Sequence, residues 1–107
     1  MKSSKAPPPR HLSVKAKAWW RRLVNEWVLD DAGLLILQAG LEALDRMIEA
    51  QAILKVDGSI TEDRFGQKKQ HPATLVERDS RSAMLAALKQ LHLDLEPAGG
   101  LGRPPGK

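Results

Sequence analysis

Glu42, Asp45 and Glu49 recur at helical spacing, as carboxylates gathered around a hard cation would. They lack a histidine partner and a second acidic helix, so a solvated helix face accounts for them. The histidines at 11, 71 and 92 are scattered without metal-ligand spacing. His71 reads as a capping or loop residue, and His92 suits the C-terminal end of a helix. Ser80 and Ser82 belong to no nucleophile motif; close packing explains the first and solvent exposure the second. Gly99, Gly100 and Gly102 fall in a Gly/Pro tail and form no phosphate loop. Absence of cysteine removes disulfides and thiolate metal sites. No catalytic set and no cofactor site emerge, so the chain reads as a binding protein and not an enzyme.

The cations are the remaining chemistry. The 107-residue chain carries a net charge of +4, unevenly spread. Residues 1–25 hold seven basic side chains and no acidic one, whereas residues 26–96 hold eight basic and thirteen acidic. A cationic end on an acidic body suits either an anionic partner or a solvated tail. The candidates for anion contact are Lys15, Lys17, Arg21 and Arg22, then Arg64, Lys68 and Lys69, then Arg78 and Arg81. Such groups neutralise phosphates without reading sequence, and their binding weakens with salt. Glu77, four residues before Arg81, offers that arginine an internal partner instead.

These side chains need elements to carry them. Residues 1–11, rich in Lys, Ser and Pro, are expected to be a disordered lead. Ser13 is the expected N-cap of a first helix over 13–28, with Ala16, Trp20, Leu23, Val24 and Trp27 on one face. Trp19 falls about 100° from that face; it caps the edge of the same core or meets another chain.

Asp30 and Asp31 open a second helix over 31–57, closed by Gly58. Its apolar residues form two adjacent faces: Leu34, Leu37, Leu41, Leu44 and Ile48, then Ile36, Ala43, Met47 and Leu54. So broad a face needs partners on more than one side, in this chain or in a neighbouring subunit. Ile36, Ala43, Met47, Leu54 and Trp19 are therefore the candidate oligomer contacts. Residues 58–70 form a small hairpin or an ordered loop. Pro72 at a first helical position starts a third helix that runs to Leu93.

The expected fold is all-α. Three helices with a long central one occupy residues 12–96, and the flexible ends cover 1–11 and 97–107. No apolar run approaches the ~20 residues that span a bilayer. The N-terminus lacks the apolar core of a secretory signal, which points to the cytoplasm.

The order of these features resembles that of phage terminase small subunits. The lead and first helix, "PPPRHLSVKAKAWWRRLVNEW", look like the family's opening. The stretch "DDAGLLILQAGLEALDRMIEAQAILKVDG" is similar to its long central helix. The segment "DRFGQKKQHPATLVERDSRSAMLAALKQLHLDLEP" looks like its most recognisable part, with Gln70 where the family often has Pro. The resemblance covers residues 7–106. It implies a non-catalytic, ring-forming DNA-packaging subunit in the cytoplasm of an infected bacterial host. Such a subunit binds double-stranded viral DNA at the packaging start and presents it to the terminase large subunit, which carries the ATPase and nuclease. A small helix-turn-helix transcription regulator and a purely structural helical adaptor are the competing readings.

Overall fold

The computed structural model describes residues 6–92. Three helices and one small sheet follow in order: α1 (Val14–Glu26), α2 (Asp31–Asp57), β1 (Ile60–Glu62), β2 (Lys68–Gln70) and α3 (Pro72–Gln90). Each helix start has a chemical cause. The Ser13 hydroxyl accepts the Ala16 N–H at 3.0 Å, and the Asp30 carboxylate accepts the Gly33 N–H at 2.8 Å. These bonds satisfy donors that the first helical turn leaves unpaired. At α3, Pro72 follows His71, whose Nδ1 accepts the Ala73 N–H at 3.0 Å.

Helix α1 is shorter than expected because Trp27 already turns extended, leading into the Asp30 cap. Helix α3 stops at Gln90; beyond it His92 takes a left-handed φ of 60°, and Leu93 lies outside the described residues. The expected disorder of 97–107 also lies outside them.

Between α2 and α3 the chain forms the hairpin alternative, with Ile60, Thr61 and Glu62 opposite Gln70, Lys69 and Lys68. Asp63 builds its turn. Its carboxylate accepts the N–H groups of Phe65 and Gln67, and Gly66 supplies a φ of 80° that other residues adopt reluctantly.

Helices α2 and α3 pack antiparallel through small residues. Ala43 and Ala50 are buried on α2, and Ala73, Ser80 and Ala87 on α3, all at seven-residue spacing. That spacing keeps one seam facing the partner helix. Gly40 completes the seam, since a Cβ there would stand 2.9 Å from the Ala87 Cβ. Helix α1 covers the other side of α2, burying Ala16, Trp20 and Val24 with Leu12, Leu29, Leu37 and Leu41.

Two expectations need correction. Residues 6–11 of the lead are ordered against α1: Ala6 packs on the core, and its carbonyl accepts the Trp20 indole N–H at 2.8 Å. A buried indole requires such an acceptor, and the proline-rich lead supplies one. The acidic strip is not wholly a solvated face either. Glu42 and Asp45 hold the start of α1, as described below.

Candidate nucleic-acid interface

Helix α1 presents Lys15, Arg21 and Arg22 exposed and Lys17 half-buried. Lys15, Trp19 and Arg22 fall on one flank at i, i+4 and i+7, and Lys17 and Arg21 on the other. The Arg22 guanidinium lies over the Trp19 ring, 5.4 Å from its centroid, with its Nε 3.6 Å from Glu26. Lys15, Lys17 and Arg21 have no ion pair among the described residues. Arg21 borders a shallow depression shared with Ala6, Pro7 and Pro8, so the ordered lead lies beside it.

The position of this cationic helix is set at its start. Asp45 accepts both the backbone N–H and the hydroxyl of Ser13, at 2.9 and 2.6 Å. Glu42 accepts from Gln38 at 3.0 Å and from the His11 imidazole at 2.7 Å. The Gln38 and His11 hydrogen bonds hold the Glu42 carboxyl below the usual carboxylate range.

The second cationic group is at the hairpin end, and most of its charge is already answered. Lys69 lies 4.0 Å from Asp63, and Arg78 lies 3.5 Å from Asp79. Arg81 pairs with Glu77, which also accepts from Gln51 at 3.1 Å. Arg64 lies over the exposed Phe65 ring, 5.6 Å from its centroid, and Lys68 has no ion pair among the described residues. From Asp45, where α1 starts, to Asp57, where α2 ends, is about 18 Å at 1.5 Å per residue. The nine candidate cations therefore form two groups, one on α1 and one at the hairpin end.

Sequence reasoning missed Arg10, exposed on the ordered lead, and the acceptor pair Glu42 and Asp45. The signal for that pair was their i, i+3 spacing opposite a Ser13 cap. Of the candidate oligomer contacts, Ala43 has no exposed surface and lies in the α2–α3 seam, out of reach of a second chain. Ile36, Met47 and Leu54 are half-buried, and Trp19 is 41% exposed. The most exposed apolar side chains of α2 are instead Leu35 and Val56, at 70% and 85%. Between α1 and α3 an apolar groove of about 320 Å³ runs over α2, edged by Trp19, Leu44, Leu88 and Leu91.

Among the described residues no group of three His, Asp or Glu is placed to hold a metal ion. No helix among them is long and apolar enough to cross a membrane.

The sequence model of the phage terminase small subunit family matches residues 16–105. That is most of the chain, from α1 through the segment after α3, and the chain belongs to this family. No curated protein and no solved structure matches it significantly.

Proposed function

We propose that this terminase small subunit is a DNA-binding, self-assembling component of a packaging motor. It forms a ring, contacts double-stranded viral DNA through the cations of α1, and hands the DNA to the large subunit. The family match carries this reading. The geometry supports it through Lys15, Lys17 and Arg21, cations without a carboxylate partner among the described residues on one short helix. Side chains that pay no internal ion pair are free to displace counterions from phosphates. Repetition of so small a patch around a ring raises avidity ~10²–10⁴-fold when all copies engage one duplex. Leu35, Ile53 and Val56, exposed on α2, are the contacts proposed between subunits.

A regulator of the helix-turn-helix class needs a short turn before its recognition helix. Here α3 follows a β-hairpin, and Ser13 lays α1 back along α2 toward Asp45.

Two measurements decide the proposal. The mass in solution should be a multiple of several chains, and DNA affinity should fall steeply with added salt. A monomer at working concentration would remove the ring, and a salt-independent affinity would remove the phosphate contacts.

A further inference from the structure

We propose that the groove between α1 and α3 is a docking site for the chain's own residues Leu93–Glu96. This goes beyond DNA binding and does not depend on it. The groove is lined by Trp19 and Leu23 of α1, Leu41 and Leu44 of α2, and Leu88 and Leu91 of α3. Its volume of about 320 Å³ can be set against an apolar cavity of about 150 Å³, which suffices for a benzene ring. There is room for two leucine-sized side chains.

Chain direction identifies the occupant. Leu91 itself lines the groove, so the polypeptide leaves the described region at one end of it. His92, at φ 60°, turns the chain off the α3 axis, as left-handed residues do after a helix end. The next four residues are Leu93, Asp94, Leu95 and Glu96. In an extended segment alternate side chains share a side, which puts both leucines together and both carboxylates opposite. Leucines entering the groove leave the acids at its rim, where Lys15 has no ion pair among the described residues and Arg22 lies over Trp19.

The lengths agree. From Leu91 back to Met84, another lining residue, α3 rises about 10 Å. Three extended residues span the same ~10 Å. The family match also continues past α3 to residue 105, so this segment belongs to the shared pattern. A tethered segment meets its site at millimolar effective concentration, so a weak contact suffices to keep it seated.

Because the chain has no cysteine, disulfide trapping in the full-length protein reads the contact directly. Leu44→Cys combined with Leu95→Cys should give a cross-link within one chain, about 10²-fold faster than between chains at micromolar protein. The control pairs Leu95→Cys with Ile53→Cys, on the side of α2 away from the groove by helical periodicity. Equal rates in the two variants overturn the proposal. So does a product that is mainly cross-linked dimer, which assigns the groove to a second copy. Leu44→Cys also disturbs packing, so a second variant leaves the folded body intact. Leu93→Asp with Leu95→Asp should expose Trp19 to acrylamide, read as the difference from the same chain carrying Trp19→Phe. Unchanged quenching of Trp19 overturns the proposal.

Discussion

Gly40 and Ala87 show how tightly the α2–α3 seam is drawn. Gly40→Ala would gain about 1 kcal/mol of helix propensity but place its Cβ 2.9 Å from the Ala87 Cβ. Overpacking of this kind costs about 1–3 kcal/mol, so the net effect should be destabilising. Urea unfolding of Gly40→Ala checks this, and Ala87→Gly added to it should recover part of the loss. Trp20 makes a second single-residue test. Trp20→Phe keeps the ring but removes the N–H that the Ala6 carbonyl accepts, a loss of about 1 kcal/mol. The lead should then loosen, and trypsin should cut faster after Arg10. That lead was illegible in the sequence for a physical reason. Composition reports how little residues 1–11 can bury among themselves, but not that one indole elsewhere needs an acceptor.

At the scale of elements, the docking of α1 depends on carboxylates. Glu42 is held below the usual carboxylate range by Gln38 and His11. Its stabilising contribution is therefore complete above the unfolded carboxylate value, about 4.3, and is lost as pH falls through the lower folded value. Glu42→Gln should lower the melting temperature at neutral pH, and its difference from the parent should shrink as the solution is acidified below about pH 4. The helices themselves were legible. Ser13, the Asp30-Asp31 pair, Gly58 and Pro72 each mark a boundary by satisfying or omitting a backbone group, and such chemistry is local. The assignment of α2's faces to partners was not. Ala43 reads equally well as a subunit contact or an internal one until α3 is seen to lie over it. Glu42 and Asp45 were likewise obscured, because their partners His11 and Ser13 are about thirty residues away in sequence.

For the whole molecule, the separation of the two cationic groups makes their roles separable. Arg21→Glu on α1 should weaken DNA binding and reduce the slope of log affinity against log salt by about one, the signature of one lost phosphate contact. Lys68→Glu with Lys69→Glu tests the hairpin end in the same titration. An unchanged affinity there would leave α1 as the whole interface. The periodic seam also governs how the chain can change length. A residue deleted inside α3 turns everything beyond it by about 100°, carrying Ala87 away from Gly40. A residue added at the hairpin tip, around Arg64 and Phe65, displaces no buried side chain. Insertions and deletions should thus be confined to that tip, making it the natural place to splice in a tag, a fluorophore or a foreign loop.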